Sequence, residues 1–442
     1  MISSFDLDRS QWAVGSPLHN KLAEQDRPIH AWYRFVLSFP PHLVRDYLTR
    51  FSVQPGDVVL DPFCGTGTTL VECKKHAISG VGYEANALAA LATRVKCNWN
   101  LSPEEVSYSA RWVAEKANEE IAGTLPEIGS ERVPAICERT SLFDLKSLDS
   151  DAEELLLKGS ISPKPLHRSL VLLRRINSAP LELVDLFKVA LAWTLVSVAG
   201  NIRFGPEVGI TKPKDDEDVV GAWLQQCERM AADLLLYSDR KNIPTMLTNG
   251  DSRDVSHLED QSISAVFTSP PYPNEKDYTR TTRLESVVLG LIRNKRELRQ
   301  MKEGLLRSNT RNVYMHDEDH KWVEHIPEVE EIAREIERRR IDLGKTSGFE
   351  KQYHRVARLY FGGMARHLES LQPKLKSGAK LGYVVGDQAS FLQVHIPTGE
   401  ILGKIAQELG YELESIDLFR TRLATATRQQ LREEVVVLRW PG

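Results

Sequence analysis

The pattern of apolar and polar positions predicts two regions in which strands alternate with helices, separated by a long helical region. Short β-branched runs followed by helical spacing occur between residues 58 and 84 and again from residue 245 to the end. Residues 101–240 instead have apolar side chains at helical spacing, as in EEVSYSARWVAEKANEEIA, LELVDLFKVALAWTLVSVAG and VVGAWLQQCERMAADLLLYSDR. Two polar stretches in this region, SPKPLHRS and NIRFGPEVGITKPKDDED, are predicted as loops. The pattern therefore indicates an α/β protein with a helical insertion.

The clearest strand–helix–strand unit is VVLDPFCGTGTTLVECKKHAISGVGYE, with a glycine turn between its first strand and its helix. Gly65 and Gly67 allow close approach of the backbone, and Glu84 follows the second strand, where a carboxylate can accept from the two hydroxyls of a ribose. The turn lacks the third glycine of GxGxxG, and no basic residue follows it for a phosphate. These features favour a nucleoside without phosphates, such as the adenosine of S-adenosylmethionine, although a purely structural turn remains an alternative.

A proline-stiffened loop, TSPPYPNEKDY at 268–278, follows the apolar run SISAVF. Pro270 and Pro271 fix their φ angles and donate no backbone hydrogen bond, so they hold Ser269 and Tyr272 in one geometry. A rigid acceptor beside an aromatic ring suits a flat ring that carries an amine. Upstream, TNGDSRDV places Asp251 at the end of a short strand, where it can accept from an adenine amino group or simply form an Asx turn.

The charge distribution adds a possible nucleic-acid contact. The 442 residues carry a formal net charge of −4, yet residues 276–311 hold ten Lys or Arg against four acids. A basic stretch directly after the proposed chemical loop favours phosphate contacts over a merely solvated face. The five cysteines form no CxxC pair, and there is neither a signal-peptide pattern nor an 18-residue apolar run. We therefore expect a cytoplasmic protein with no metal site and no contact with a membrane.

The carboxyl-terminal part completes the predicted sheet. LGYVVGDQ is expected to form a buried strand, TGEILGKIAQELG a helix, and YELESIDLFRTR and EEVVVLRW two closing strands joined by LATATRQQ. Two strands joined by so short a loop predict an antiparallel hairpin at the edge of the sheet.

Taken together, DPFCGTGT at 61–68, Glu84, GD at 250–251 and TSPPY at 268–272 resemble the S-adenosylmethionine-dependent DNA amino-methyltransferases. The resemblance covers roughly residues 28–100 and 241–440. It implies a Rossmann-like methyltransferase fold with a mostly parallel seven-stranded sheet, an antiparallel carboxyl-terminal hairpin and a large helical insertion. The expected divisions are an amino-terminal arm at 1–28, a catalytic domain at 29–100 and 241–442, and a helical insertion subdomain at 101–240.

The resemblance also implies roles for individual residues. The target base would be held by Ser269, Pro270, Pro271 and Tyr272. The cofactor would be bound by Phe39, Pro40, Asp61, Pro62, Phe63, Cys64, Gly65, Gly67, Thr68, Glu84, Asp251 and Thr268. A target-recognition region is expected at 276–350, helped by the loop at 201–214. Its expected contacts with DNA are Lys276, Arg280, Arg283, Arg293, Arg296 and Arg311.

The implied activity is direct methyl transfer from S-adenosylmethionine to the exocyclic N4 amine of a flipped cytosine in double-stranded DNA. Serine at the first position of SPPY is typical of cytosine-N4 enzymes, whereas aspartate or asparagine is typical of adenine-N6 enzymes. By analogy, the chain would be the modification enzyme of a restriction-modification system whose endonuclease is a separate chain. The alternatives left open are an adenine-N6 enzyme, an RNA-amine methyltransferase and an inactive module that binds the cofactor or DNA.

Overall fold

The computed structural model describes residues 22–34, 38–125, 145–205, 208–274, 276–423 and 430–442. Most of the predicted amino-terminal arm, and most of the loop LATATRQQ, lie outside the described residues. The part of the arm that is described enters the short 3₁₀ turn Glu24–Asp26 and the helix α1, Arg27–His30.

The centre of the molecule is a seven-stranded sheet with the order β5-β2-β1-β6-β7-β9-β8. Its strands are β1 (Val58–Asp61), β2 (Ser79–Tyr83), β5 (Thr245–Thr248), β6 (Ile263–Thr268), β7 (Leu375–Gly386), β8 (Glu412–Leu423) and β9 (Gln430–Arg439), while β3 (Ile202–Arg203) and β4 (Gly209–Ile210) pair separately. Strands β5, β2, β1, β6 and β7 are neighbours in this order and run parallel, whereas β9 runs antiparallel to both β7 and β8. This arrangement confirms the predicted mostly parallel sheet and its antiparallel carboxyl-terminal hairpin.

The direction of winding changes between β1 and β6. Strand β1 lies between its two neighbours, with Leu60 paired to Val81 on one side and to Val266 on the other. The chain builds outward from β1 through β2 and β5, and then returns to form β6 and β7 on the opposite side. Loops that leave two such strands diverge and open a crevice at their carboxyl ends, where ligands of open α/β sheets bind. Both DPFCGTGT and TSPPY leave strands at this position.

Helices cover both faces of the sheet. Their bounds are α2 (Pro41–Arg50), α3 (Thr68–Lys75), α4 (Ala87–Cys97), α5 (Pro103–Ala122), α6 (Ser150–Glu153), α7 (Pro163–Ile176), α8 (Leu181–Thr194), α9 (Val219–Leu236), α10 (Tyr278–Thr281), α11 (Arg283–Val288), α12 (Lys295–Glu303), α13 (Pro327–Asp342), α14 (Tyr353–Leu371) and α15 (Thr398–Glu408). No helix among the described residues is both long enough and apolar enough to cross a bilayer.

The prediction of a loop at SPKPLHRS is wrong, because these residues begin helix α7. Proline is compatible with the first turn of a helix, where the missing N–H group would have no intrahelical acceptor. The side chains of Val171, Leu172 and Ile176 are fully buried, so the rest of α7 packs against the core. Burial of this apolar face therefore extends a helix through a segment whose polar start looked like a loop.

The helical region at 101–240 packs directly on the first βαβ unit. Leu70 of α3 and Leu88 of α4 belong to the same buried cluster as Phe187 of α8 and Trp223 of α9. One face of the sheet packs on α13, α14 and α15, and the other face packs on α2 and α3. Both faces of the sheet are therefore covered by helices, while the carboxyl ends of its strands remain available for a site.

Candidate active site

A cavity of about 710 Å³ lies at the carboxyl ends of the parallel strands, where the winding changes direction. It is lined by the loops that follow β1, β2, β5, β6 and β7 and by residues from the segment 304–312. Its volume falls within the range of roughly 300 to 1,000 Å³ that is usual for small-molecule sites. The glycine turn and the SPPY loop thus face one common space.

The glycine turn has a backbone conformation that side chains disfavour. Gly65 and Gly67 have φ angles of 53° and 83°, and Gly67 leads into α3. A Cβ atom on Gly67 would lie 2.9 Å from Cγ2 of Thr93, which is too close for an ordinary contact. The hydroxyl of Thr93 also donates a hydrogen bond to the Gly65 carbonyl at 2.8 Å. The turn is therefore packed tightly on α4 and offers its backbone to the cavity.

Glu84 extends from the end of β2 to this turn. One carboxylate oxygen accepts from the Gly65 N–H at 2.8 Å, and the other accepts from the Asn86 N–H at 2.7 Å. Burial raises the pKa of Glu84 to about 7, although these backbone hydrogen bonds oppose the shift. Each carboxylate oxygen can accept more than one hydrogen bond, so capacity remains for donors in the cavity. A vicinal diol would supply two such donors.

Asp61 lies beneath the turn rather than on the wall of the cavity. Its Oδ1 accepts from the Thr268 hydroxyl at 2.6 Å and from the Phe63 N–H at 3.2 Å, which ties the end of β1 to the end of β6. Its Oδ2 is buried and has no hydrogen-bond partner among the described residues. Burial raises the pKa of Asp61 to about 6. Asp61 and Thr268 therefore hold the two loops at a fixed separation.

The structure divides the predicted cofactor residues into two sets. The cavity is lined by Phe39, Pro62, Phe63, Cys64, Gly65, Thr68 and Glu84. The lining does not include Pro40, Asp61, Gly67, Asp251 or Thr268. Three of the residues that do not line the cavity, Asp61, Gly67 and Thr268, instead help to hold the glycine turn in place.

Asp251 has a different environment from the one expected. Its carboxylate accepts from Arg253 Nε at 2.9 Å and from Arg253 Nη2 at 2.6 Å. Nη1 of the same guanidinium donates to Asp319 at 2.5 Å. The neighbours of Asp251 on either side, Gly250 and Ser252, line the cavity instead. The predicted contact between Asp251 and an adenine amine stays a prediction, and its carboxylate is already engaged by Arg253.

All four residues of the SPPY loop line the cavity. The Ser269 hydroxyl donates to the Val384 carbonyl at 3.0 Å, so its proton is engaged and its oxygen lone pairs can accept from a ligand. The Tyr272 N–H donates to the Tyr278 hydroxyl at 3.4 Å. The Tyr272 ring lies against Gly386, where an added Cβ atom would come within 3.0 Å of Cε2. The loop therefore presents an acceptor beside a fixed aromatic ring.

A polar wall at 304–312 faces the cavity. The sequence placed these residues in the predicted target-recognition region at 276–350 but did not indicate that they share a cavity with the glycine turn. The wall is attached to the SPPY loop, because the Asn274 N–H donates to the Ser308 carbonyl at 2.9 Å and Asn309 Nδ2 donates to the Lys276 carbonyl at 3.1 Å. The side chains of Ser308, Asn309 and Asn312 are all buried. The run SNTRN is the only local signal of this wall, and its polarity alone is equally typical of a surface loop.

Part of the basic stretch is neutralised within the protein. Buried ion pairs join Lys302 to Asp277 at 2.9 Å and Arg307 to Asp317 at 2.8 Å. The local charge is therefore less available to DNA than the sequence alone indicates.

The six predicted DNA contacts occupy different environments. Lys276 lines the cavity, while Arg280 and Arg283 lie in α10 and at the start of α11. The exposed Arg293 pairs with Glu297 at 2.9 Å, and Arg296 is exposed on α12. Arg311 lies over the ring of Phe349 at 5.6 Å. Contacts between these side chains and DNA stay a prediction.

Comparison with known proteins bears on this arrangement. The family model for DNA methylase, named for N6 and N4 methyltransferases, matches residues 12–92, which include the glycine turn and Glu84. The chain is 23% identical to the Type II methyltransferase M.BsoBI of Geobacillus stearothermophilus, over 94% of this chain and 85% of that protein. It is 22% identical to the Type II methyltransferase M.AvaI of Nostoc sp., over 95% of this chain and 88% of that protein. These matches show that the chain is similar to DNA methyltransferases of the N4/N6 family.

A third relative matches over a shorter stretch. Over 74 residues, the chain is 36% identical to the Type II methyltransferase M.MjaII of Methanocaldococcus jannaschii, which is 16% of this chain and 14% of that protein. DNA methyltransferases of this family use S-adenosylmethionine. The cavity suits that cofactor, because its lining combines the Glu84 carboxylate with Gly65 and the uncharged side chains of Phe39 and Phe63.

Proposed function

We propose that this DNA methyltransferase modifies the exocyclic N4 amine of cytosine at specific sites in duplex DNA. The observation that carries this proposal is the position of Ser269, the first residue of SPPY, in the same cavity as the glycine turn. The Ser269 hydroxyl donates its proton to the Val384 carbonyl, which leaves the lone pairs of its oxygen to accept from a ligand. An exocyclic amine is a donor and matches it.

The cofactor half of the cavity is assigned to the turn and to Glu84. Glu84 would accept from the ribose hydroxyls, and the backbone from Phe63 to Gly65 would surround the methionine part, supported from behind by Asp61. S-adenosylmethionine, when bound, supplies a sulfonium methyl group. Phe39 packs edge-on against Phe267 at 5.8 Å, so this wall of the cavity is fixed by the core.

The target half of the cavity is assigned to the SPPY loop. The lone pair of a cytosine amine is delocalised into the ring, and hydrogen bonds accepted from its protons localise that pair on nitrogen. Ser269 Oγ and the Pro270 carbonyl would accept these two hydrogen bonds, and Tyr272 would stack on the ring. Prolines at 270 and 271 keep the acceptors in place, which reduces the reorganisation needed at the moment of reaction.

Access to the amine requires the base to leave the duplex. Enzymes that act on a base inside DNA rotate it into a pocket, at a cost of a few kcal/mol that stacking and phosphate contacts offset. A cavity bounded by Tyr272 on one side and by the polar wall at 304–312 on another can receive one base. The basic segment at 276–350 would then contact the flanking phosphates and determine the recognised sequence.

The relatives named as Type II methyltransferases support a role in restriction and modification. We assign the chain the protective role in such a system, with the endonuclease encoded as a separate chain. The substrate is then double-stranded DNA that contains the recognition sequence.

The decisive experiment identifies the modified nucleoside. DNA from cells that express the protein is digested and analysed by mass spectrometry, and the same DNA is sequenced with detection of modified bases. The proposal predicts N4-methylcytosine in a single short sequence context. A Ser269→Ala variant, expressed at the same level, should leave the DNA unmodified. N6-methyladenine would refute the choice of base while retaining the family, and no modification of DNA would refute the activity.

A further inference from the structure

The last two strands contribute a group of charged side chains to the cavity, and none of these residues belongs to the sequence motifs. Arg420 and Arg422 of β8 and Glu433 of β9 all line the wall near Tyr272. Arg420 and Arg422 are two positions apart on one strand and therefore share a face of the sheet. Glu433 lies opposite Arg420 in the β8–β9 register. The pairing of these two strands thus places one carboxylate between two guanidinium groups.

The Glu433 carboxylate forms ion pairs with both arginines. Its side chain is 9% exposed, and its carboxylate accepts from Arg420 Nε and lies 3.5 Å from Arg422 Nε. Arg422 Nη2 also donates to the Asp387 carbonyl at 2.7 Å. A guanidinium has five N–H donors, so each arginine retains terminal N–H groups that are not engaged by any described residue. The Arg422 side chain is 34% exposed and can therefore reach a ligand.

This charged group is close to the proposed stacking ring. An added Cβ on Gly386 would meet both Tyr272 Cε2 at 3.0 Å and Glu433 Cγ at 3.1 Å, so ring and carboxylate pack on the same glycine. Burial raises the pKa of Tyr272, the Glu433 charge raises it further, and the Arg422 charge opposes the shift. Burial raises the pKa of Tyr278 to about 12, and the Arg422 charge opposes this shift as well. The Arg422 charge therefore acts on both Tyr272 and Tyr278, the two tyrosines of the loop at 268–278.

The two candidate bases differ on the edge that such a group could contact. When the cytosine amine is held by Ser269, the next two positions along the same edge are the acceptors N3 and O2. When the adenine amine is held there, the next positions are the acceptor N1 and a C–H group. A guanidinium can donate two parallel hydrogen bonds and therefore matches cytosine better than adenine.

We propose that Arg422, oriented by Glu433 and the Asp387 carbonyl, donates hydrogen bonds to N3 and O2 of the flipped cytosine and thereby selects cytosine over adenine. This inference rests on the proposed function, because it requires that cytosine be the target. It adds a base-contacting residue outside the SPPY loop. Contact of Arg422 with a DNA phosphate is the competing explanation, and it predicts no dependence on the atoms of the base.

The test combines a base analogue with substitutions at Arg422. Duplexes containing the mapped recognition sequence are prepared with cytosine or with 3-deazacytosine, which has C–H in place of N3, at the target position. Single-turnover methylation rates are measured with saturating S-adenosylmethionine and DNA for the wild type, Arg422→Ala and Arg422→Lys. Because the analogue also changes the intrinsic reactivity of the amine, the informative quantity is the ratio of the two rates in each protein.

For the wild type, the analogue should be slower by roughly 10- to 100-fold, the discrimination typical of a good bidentate contact to a base. Arg422→Ala should slow methylation of cytosine by a similar factor and show little further loss with the analogue. Arg422→Lys keeps the charge but lacks the planar fork, so its ratio should resemble that of the alanine variant. A rate ratio that is the same in all three proteins would overturn the proposal.

Arg439→Ala is the matched control for this experiment. Arg439 pairs with Glu412 at 2.7 Å at the other end of the same β8–β9 hairpin, and neither residue lines the cavity. Its variant should keep the wild-type ratio, and thermal unfolding should show that all variants are folded. If mapping finds N6-methyladenine, both the proposed function and the role of Arg422 are refuted. If it finds N4-methylcytosine and the ratios do not change, only the role of Arg422 is refuted.

Discussion

If Glu84 binds the cofactor as proposed, its raised pKa makes cofactor binding sensitive to pH near neutrality. Burial moves this pKa from an ordinary value of 4.5 to about 7, and a ribose diol would donate to the ionised carboxylate. If the cofactor binds only the ionised form, the apparent Kd is multiplied by 1 + 10^(7 − pH), which is about 11 at pH 6 and about 1.1 at pH 8. We therefore expect affinity to fall about tenfold between pH 8 and pH 6, equivalent to about 1.4 kcal/mol.

Substitution of Glu84 by glutamine separates this effect from other titrations. Glu84→Gln keeps the size of the side chain but removes its charge, and hydrogen bonds to a charged group contribute roughly 1.5 to 3 kcal/mol. The variant should bind S-adenosylmethionine at least tenfold more weakly at pH 8, and its affinity should be nearly constant from pH 8 to pH 6.5. Isothermal titration calorimetry at half-unit intervals measures both quantities. Below pH 6.5, Asp61, whose pKa burial raises to about 6, begins to contribute.

Stability measurements provide the control for this substitution. Because the pKa of Glu84 is higher in the folded protein than in the unfolded chain, its favourable contribution is present below pH 4.5 and is lost as the pH rises to about 7. Glu84→Gln removes the buried charge but turns an amide nitrogen toward one of the two backbone N–H donors, so the unliganded variant should lose the pH dependence of thermal unfolding that Glu84 gives the wild type between pH 4.5 and about 7. A wild-type Kd that is equal at pH 6 and pH 8, or a glutamine variant with an unchanged pH profile, would refute the reasoning.

Three further predictions concern the SPPY loop, the ring behind it and the basic segment. Ser269→Ala should retain cofactor affinity in calorimetry while methyl incorporation falls by roughly 100-fold, because an acceptor for the amine is lost. Gly386→Ala should lower turnover more than stability, since its Cβ would lie 3.0 Å from the Tyr272 ring and displace it by a few tenths of an ångström. The double variant Arg293→Ala and Arg296→Ala should weaken DNA binding and reduce the slope of log K against log salt by about 1.8 if each side chain contacts one phosphate.

Matched controls distinguish these effects from general damage. Gly348→Ala introduces the same methyl group at a position with nothing within 4 Å, so its turnover should be that of the wild type. Arg338→Ala removes an exposed, ion-paired arginine from α13 and should leave the salt slope unchanged. An unchanged slope in the Arg293 and Arg296 double variant would mean that those side chains do not contact phosphates. Loss of cofactor affinity in Ser269→Ala would place the serine in the wrong half of the cavity.

The local chemistry of the chain was sufficient to locate the two loops of the site. The helix Thr68–Lys75 and the strand Ser79–Tyr83 lie in the strand–helix–strand unit that the pattern predicts. Glycines at positive φ and consecutive prolines restrict the backbone wherever they occur, so GTG and SPPY specify their own turns with little help from the rest of the fold. The order of short apolar strands and helices was likewise enough to predict an α/β protein, whereas the mostly parallel sheet was implied by the resemblance to the amino-methyltransferases.

Other parts of the site depend on contacts between residues that are far apart in the chain. The guanidinium of Arg253 pairs with its near neighbour Asp251 and also donates to Asp319, 66 positions along the chain. Arg422 and Glu433 reach the cavity because β9 pairs with both β7 and β8. Helix α7 begins in a polar segment because its later residues are buried against neighbouring helices.

The sequence by itself therefore determined where the glycine turn and the SPPY loop lie along the chain, because glycine and proline act through their own backbone. Only the tertiary structure decided which charges face the cavity and which are neutralised within the protein. Lys302 and Arg307 count as two positive charges in the sequence, yet both are buried against aspartates in the fold. The physical reason is that an ion pair depends on distance in space, and strand order brings together residues that composition and periodicity treat as unrelated.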